Sequence, residues 1–204
     1  MRNFLLIYPT QITEAPMTLA MLGAVLKQEG FCVQTCVNTF DRPLCVEDFV
    51  NKAVEVNAEY VGISMLTFQV LFVYEIVRAL KEKGFKVILG GPHPTDCPEE
   101  GIKAEADIVV LGEGEETLRE IVQGKPLREV LGIVTKDFFN ARRQRLDVNA
   151  LPQPDISVFD QNLFMHDGFI KGYHRIYTSR GCPGHCTFCD WKVFGQKISE
   201  YDIK

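Results

Sequence analysis

The sequence predicts an α/β protein built on a doubly wound parallel sheet, and three observations support this. Short β-rich runs alternate with amphipathic helical patterns throughout residues 1–135. The first run, 4–8, is apolar without a break, as expected of a strand that is buried on both faces. Two of the helical patterns stop at Gly30 and Gly84, and glycine is common immediately after a helix.

Hydrophobic periodicity places the first two β/α units. Pro9 is expected to end strand 4–8, and a loop to Pro16 leads into a helix with apolar residues every three or four positions. The apolar face of this helix, 17–29, comprises Leu19, Leu22, Val25 and Leu26. A strand at 31–37 follows. The apolar face of the next helix, 46–57, comprises Val46, Phe49, Val50, Ala53 and Val54.

Three more units repeat the pattern. They are strand 60–65 with helix 69–83, strand 86–89 with a short helix around 99–104, and strand 107–111 with helix 115–122. Helix 69–83 keeps its charged residues off its apolar face. Five such units are most simply a flavodoxin-like sheet, in which ligands bind beyond the carboxyl ends of the strands.

Glycines at the predicted carboxyl ends of the strands mark a candidate ligand site. Gly90 and Gly91, and likewise Gly112 and Gly114, remove side chains where the backbone turns or closely approaches another group. Tight turns between strand and helix would explain the same glycines. Glu115 requires no ligand, because acidic residues are favoured in the first turn of a helix.

The chain divides into three predicted parts. Residues 1–135 form the sheet domain, and residues 136–160 hold a terminal strand or hairpin and a linker stiffened by two prolines. The basic residues 142–145 are expected at a solvated tip of that hairpin. Residues 161–204 are too few to build a core of their own.

Composition excludes several classes of partner. The chain has 204 residues, 46% of them hydrophobic and 24% charged, and its formal net charge is −5. With most basic residues dispersed, nucleic acid and anionic membrane are not expected partners. The apolar run at the amino terminus is too short for a signal peptide or a membrane span. Seven cysteines, an odd number, fit a reducing compartment, so we expect a cytoplasmic protein.

Three cysteines lie within eight residues, as Cys182, Cys186 and Cys189. Chance would give this C-x-x-x-C-x-x-C spacing on the order of 0.008 times in such a chain, which points to metal binding. The loop follows a predicted strand, 175–179, and three thiolates suit zinc or an iron–sulfur cluster. A zinc site would require a fourth ligand, for which His174 and His185 are candidates.

A ferredoxin-type cluster would require four cysteines, and no fourth is nearby. Three thiolates on a four-iron, four-sulfur (4Fe-4S) cluster leave one iron open for chemistry. The loop resembles the C-x-x-x-C-x-φ-C loop of the radical SAM family, in which φ is aromatic; Phe188 occupies that position. The resemblance implies that the open iron binds S-adenosylmethionine, that an electron donor reduces the cluster, and that Phe188 packs near the adenine. Hydrophobic packing beneath the loop is the alternative for Phe188.

The amino-terminal part resembles the cobalamin-binding domain that precedes the barrel in one radical SAM subgroup. The matching segments are Val61-Gly62-Ile63-Ser64, Leu89-Gly90-Gly91-Pro92-His93, Gly112-Glu113-Gly114-Glu115-x-Thr117-Leu118, Leu151-Pro152-x-Pro154 and Thr178-Ser179-Arg180-Gly181-Cys182. The resemblance implies that a crevice for the corrin and its nucleotide tail is lined by Ser64, Thr67, Gly90, Gly91, Gly112 and Gly114. His93 is a further candidate for cofactor contact, with loop packing as the alternative.

The sequence departs from that subgroup in two respects. The D-x-H-x-x-G motif that supplies a histidine to cobalt is absent, because the loop after the first strand reads Thr10-Gln11-Ile12-Thr13-Glu14-Ala15. Any bound cobalamin is therefore expected in a base-off form. The chain also ends at Lys204, whereas a barrel needs on the order of 150 residues beyond the cysteine loop. We therefore expect a fragment that holds only the first strand and loop of a radical SAM barrel.

The leading interpretation is the amino-terminal part of a cobalamin-dependent radical SAM enzyme, with radical methyl transfer as its reaction. One alternative is a corrinoid-binding module without catalytic activity in this form. Another is an α/β regulatory domain with a zinc-stabilised tail. The sequence indicates neither the substrate nor the oligomeric state.

Overall fold

The computed structural model describes residues 2–164, 176–189 and 197–202. Its strands are β1 (Asn3–Ile12), β2 (Cys32–Thr39), β3 (Tyr60–Ser64), β4 (Lys86–Gly90), β5 (Ile108–Val110), β6 (Ile133–Val134), β7 (Ser179–Arg180) and β8 (Ser199–Glu200). Its α-helices are α1 (Met17–Gln28), α2 (Val46–Glu55), α3 (Val70–Glu82), α4 (Pro92–Asp96), α5 (Pro98–Lys103) and α6 (Glu115–Val122). None of the helices in these ranges combines the length and hydropathy that a bilayer span requires.

Six strands form one sheet in the order β2-β1-β3-β4-β5-β6. The first five are parallel to one another, and β6 runs antiparallel to β5. The order of the five parallel strands is that of a flavodoxin-like sheet, whose strand order reverses between β1 and β3. The predicted mainly parallel, doubly wound α/β architecture is confirmed.

Alternate residues of the central strands supply two separate cores. Leu5 and Ile7 of β1 pack in the core beneath α2 and α3, whereas Phe4 and Leu6 pack in the core beneath α1 and α6. All four side chains are almost fully buried, which contributes roughly 1.5–3 kcal/mol each. Burial on both faces explains why the first run has no polar residue.

The structure corrects two local predictions. Pro9 does not end the first strand, because β1 continues to Ile12 with a shift of register against β2. Pairing of β1 with β3 has already ended at Ile7, so the missing N–H of Pro9 breaks no bond on that side. The segment after β4 also holds two short helices, α4 and α5, where one was predicted.

The predicted solvated tip at 142–145 is wrong for two of its residues, whereas Arg142 and Gln144 are exposed as predicted. The side chains of Arg143 and Arg145 are only 16% exposed, and they pair with Glu120 and Glu113. The hairpin is formed by β6 and by an isolated bridge between Val134 and Phe139. Residues 144–148 do not form a strand.

The linker lies against α1. The amide of Asp155 donates to the carbonyl of Ala20 at 3.0 Å, and Lys27 Nζ lies 2.7 Å from Asp155 Oδ2. Val158 is buried against Gly23, so the linker contributes to the core beneath α1 and α6. The proline-rich segment is therefore part of the sheet domain's packing.

The described part of the predicted third region is small. Residues 165–175, 190–196 and 203–204, including His174 and the start of the predicted strand 175–179, lie outside the described residues. β7 pairs with β8 in an antiparallel manner. A parallel barrel strand is not among these described segments, so the predicted beginning of a barrel is not confirmed.

Candidate functional site

A cavity of about 360 Å³ opens at the carboxyl ends of the central strands, where the strand order reverses. It extends between the sheet and the two helices α1 and α6. Its mainly apolar walls include Leu6, Gly62, Ile88 and Val110 from the sheet and Leu19, Leu22 and Leu118 from the helices. A mainly apolar cleft with a few polar groups at its mouth is typical of a small-molecule site.

Five of the predicted cofactor-binding residues line this cavity: Ser64, Gly90, Gly91, Gly112 and Gly114. Gly91 has φ +106°, and a Cβ there would lie 2.7 Å from the carbonyl oxygen of Met65. A Cβ on Gly114 would lie 3.6 Å from Leu22 and 3.7 Å from Val110. The first glycine is therefore required by the turn, while the second keeps the space between α1 and β5 open.

A buried threonine joins the two glycine turns. Thr95 Oγ1 donates a hydrogen bond to the carbonyl of Gly91 at 2.7 Å and accepts one from the amide of Gly112 at 2.9 Å. These contacts fix the ends of β4 and β5 relative to each other. The sequence indicated the glycines but gave no signal for the threonine.

Thr67 and His93 are not among the described residues that line the cavity. Thr67 is exposed in a 3-10 turn before α3. His93 is 6% exposed, and its Nε2 lies 3.3 Å from the hydroxyl of Tyr74, which belongs to the core on the other face of the sheet. Burial and the Glu100 carboxylate raise the pKa of Tyr74, so the phenol keeps its proton. Cofactor contact by Thr67 and His93 stays a prediction.

Charged side chains surround the mouth of the cavity. Arg180 Nη2 lies 2.6 Å from Glu115 Oε1, and Arg180 Nη1 lies 3.5 Å from Glu113 Oε1. Arg145 also pairs with Glu113, at 3.4 Å. Burial lowers the pKa of Arg180 and the Glu115 carboxylate raises it, with a net rise, so Arg180 remains a cation.

Arg145 Nε is buried and has no hydrogen-bond partner among the described residues. An unpaired buried donor is costly, by roughly 1–3 kcal/mol. Sequence reasoning missed Arg145 and Arg180 as site residues. Arg180 lay within a segment that carried the family resemblance, whereas nothing in the sequence marked Arg145.

The cysteine loop begins at the edge of the cavity, since Arg180 and Gly181 line it. A Cβ on Gly184 would lie 3.3 Å from Cys182 Sγ and 3.8 Å from Cys186 Sγ, so this glycine lets both sulfurs approach the same backbone position. The amide of Cys189 donates to the carbonyl of Cys186 at 3.2 Å. The loop therefore presents three thiols at the surface beside the crevice, a donor set that suits a soft metal centre.

Phe188 is 89% exposed, so the structure does not support its alternative role in packing beneath the loop. His185 is also exposed. An exposed aromatic ring next to three thiols is available for contact with a bound ligand.

Comparison with protein families gives a match to the B12 binding domain over residues 11–122. Among curated proteins, the chain is 27% identical to an uncharacterized methyltransferase of Pyrococcus horikoshii, over 94% of this chain and 44% of that protein. It is 33% identical to an uncharacterized methyltransferase of Synechocystis sp., over 69% and 24% respectively. It is 31% identical to the bacteriochlorophyllide d C-8(2)-methyltransferase of Chlorobaculum tepidum, over 71% and 31%. The chain spans less than half the length of these relatives.

Two solved structures share the fold over nearly the whole chain. The radical S-adenosylmethionine methyltransferase TsrM from Kitasatospora setae, solved with cobalamin and a 4Fe-4S cluster bound, aligns with a TM-score of 0.72 and 18% identity. That alignment covers 98% of this chain and 43% of the other. The cobalamin-dependent S-adenosylmethionine radical enzyme OxsB aligns with a TM-score of 0.77 and 19% identity, over 98% and 30%. At these identities the likeness is one of fold.

Proposed function

This chain belongs to the B12-binding domain family, and we propose that it binds cobalamin in the crevice between the sheet, α1 and α6. We further propose that it is the amino-terminal part of a cobalamin-dependent radical SAM methyltransferase. Similarity to named methyltransferases and the fold shared with TsrM and OxsB support this second step.

The cavity is the observation that carries the proposal. Its mainly apolar interior would accept the flat aromatic base of the cobalamin nucleotide tail, and Gly114 leaves space beside Leu22 and Val110. A volume of about 360 Å³ is too small for the whole cofactor, so the larger corrin belongs at the mouth, beside Gly90, Gly91 and Gly112. Arg145, whose Nε has no hydrogen-bond partner among the described residues, lines the same cavity.

Residues 10–15 support a base-off cofactor that receives no histidine ligand from this segment. They continue β1 to Ile12, and Thr10 Oγ1 donates to Gln69 Oε1 at 2.8 Å. None of these side chains is an imidazole. If the nucleotide base occupies the slot, it is not available to the cobalt.

The cysteine loop supports the second half of the proposal. Cys182, Cys186 and Cys189 would bind a 4Fe-4S cluster, and Phe188 would pack against the adenine of S-adenosylmethionine. The cofactors together would supply a carbon radical and a methyl group for transfer. In this chain, Gly184 allows the sulfurs to converge, and Arg180 holds the start of the loop at the crevice. An electron donor, which would reduce the cluster, is the expected partner. The seven free cysteines are consistent with a location in the cytoplasm.

A second candidate is a cobalamin-binding module that is not itself catalytic. It is favoured by one observation: the described residues that line the crevice belong mainly to the sheet domain, and those from beyond residue 135 are Arg145, Tyr177 and Ser179 to Gly181. Cobalamin binding without any cluster would support this candidate, whereas binding of both supports the enzyme.

Titration with hydroxocobalamin tests the binding proposal. We expect a saturable change in the cobalamin spectrum towards the base-off form, together with a rise in Tm as ligand stabilises the native state. An unchanged spectrum and an unchanged Tm at excess ligand would reject cobalamin as the ligand of this crevice.

A further inference from the structure

A group of metal-ligand residues lies on the other side of the sheet from the cavity. His93 belongs to α4, Cys97 joins α4 to α5, and Glu100 belongs to α5. One ligand atom from each lies within 4.8 Å of the other two. None of the three is among the described residues that line the cavity, and none belongs to the cysteine loop. They form a cluster that the proposed function does not use.

The backbone fixes the spacing of these residues. Proline begins both short helices, and the corner between them is closed by two hydrogen bonds. The amide of Cys97 donates to the carbonyl of His93 at 2.8 Å, and the amide of Glu100 donates to the carbonyl of Cys97 at 3.3 Å. The three side chains are therefore presented together by local structure, before any ligand is bound.

The separation of His93 and Glu100 suits tetrahedral coordination. His93 Nε2 lies 3.4 Å from Glu100 Oε2. Bonds of about 2.0–2.3 Å to a tetrahedral zinc ion place neighbouring ligand atoms roughly 3.3–3.7 Å apart. Imidazole and carboxylate are thus already at the separation that zinc requires, and Glu100 is exposed enough to adjust its position.

Tyr74 lies beside two of the three residues. Its hydroxyl lies 3.3 Å from His93 Nε2 and 3.5 Å from Glu100 Oε2. Its hydroxyl could donate a hydrogen bond to a coordinated carboxylate, as groups around metal ligands often do. A thiolate, an imidazole and a carboxylate form a donor set that favours zinc over magnesium or calcium.

We propose that His93, Cys97 and Glu100 form a binding site for one zinc ion, separate from the cysteine loop and from the cobalamin crevice. The ion would brace the corner between α4 and α5. The same segment carries Thr95, which joins Gly91 to Gly112 at the cavity. Zinc at this corner therefore stabilises the end of the sheet where the crevice lies.

Zinc titration of a reference protein tests the site. The reference carries Cys182→Ser, Cys186→Ser and Cys189→Ser, because the cysteine loop would itself bind zinc. We expect one zinc ion per chain in competition with a chelating dye, and a higher Tm with zinc than without it. Cobalt(II) added instead should give the near-ultraviolet charge-transfer band of a cobalt–thiolate bond.

Two variants of the reference locate the ion, each with a matched control. Cys97→Ser should remove the cobalt–thiolate band and weaken zinc binding roughly tenfold or more, whereas Cys45→Ser on the exposed end of α2 should change neither. Glu100→Gln should weaken zinc binding. The control Glu99→Gln, at the exposed neighbouring position, should not. Because Glu100 is exposed, its substitution should leave the fold intact by circular dichroism. No zinc in the reference, or undiminished binding in Cys97→Ser and Glu100→Gln, would overturn the proposal.

Discussion

Arg180 Nη2 lies 2.6 Å from Oε1 of Glu115, which begins α6, and the two side chains are only 16% and 6% exposed. This ion pair joins the segment that enters the cysteine loop to the sheet domain at the mouth of the cavity. Glu115 also lies in the first turn of its helix, where the helix dipole favours a negative charge. The candidate cluster loop and the candidate cobalamin crevice therefore meet at one buried contact.

Replacing Arg180 should free the cysteine loop from the sheet domain. Arg180→Met removes the contacts to Glu113 and Glu115 and leaves a buried carboxylate unpaired, at a cost of roughly 1–3 kcal/mol. We expect faster amide hydrogen exchange across 176–189, with the central strands still protected. Arg78→Met, at an exposed position on α3, is the control. Equal exchange in the variant and the native protein would show that Arg180 does not hold the loop.

The linker contact should make stability depend on pH. Lys27 and Ser157 hydrogen-bond the Asp155 carboxylate and lower its pKa to about 2. The contact is fully present above the unfolded-state pKa of about 3.9 and is lost as the pH falls towards about 2. Both side chains are about one third exposed, so Asp155→Asn should cost only about 1 kcal/mol at pH 7.

Urea unfolding between pH 7 and pH 2 measures this difference. The gap between the native protein and Asp155→Asn should be constant down to about pH 5 and then close. Glu55→Gln, in the exposed pair with Lys52, should give little change at any pH. A gap that persists at pH 2 would mean that the carboxylate charge is not its source.

Gly91 should tolerate substitution less well than Gly84, which also has a positive φ. Gly91→Ala places a Cβ 2.7 Å from the carbonyl of Met65 and also strains a φ of +106°. Gly84 has φ +81° with nothing within 4 Å of its Cβ position, so Gly84→Ala incurs the backbone strain alone. We expect roughly 1–2 kcal/mol of destabilisation at Gly84 and clearly more at Gly91, measured by urea unfolding. Equal losses would exclude the clash.

The cysteine loop should bind an iron–sulfur cluster. After anaerobic reconstitution with iron and sulfide, we expect broad absorption near ~400 nm that is lost in Cys186→Ala. Gly184→Val should also reduce cluster content, because its Cβ would lie 3.3 Å from Cys182 Sγ. Cys45→Ser should retain the full absorption. Zinc without iron, bound in the native protein and lost in Cys186→Ala, would favour the zinc-stabilised tail instead.

Local pattern predicted most of the fold because each helix and strand is specified by its own periodicity. The bounds of α6 match the predicted helix 115–122, and β4 and β5 end within one residue of their predicted ends. The extension of β1 past Pro9 was missed because it depends on β2, a partner distant in sequence. Arg145 and Arg180 were missed as site residues for the same reason, since their contacts to Glu113 join segments more than thirty residues apart.

Equilibrium dialysis of hydroxocobalamin against Gly114→Leu tests the crevice most directly. Gly114 has an ordinary helical φ, so leucine there fills the space between Leu22 and Val110 without backbone strain. Glu75→Leu, on an exposed face of α3, adds the same side chain away from the cavity. We predict that Gly114→Leu weakens cobalamin binding roughly tenfold or more while Glu75→Leu binds like the native protein. Native affinity in a correctly folded Gly114→Leu would contradict cobalamin binding in this crevice.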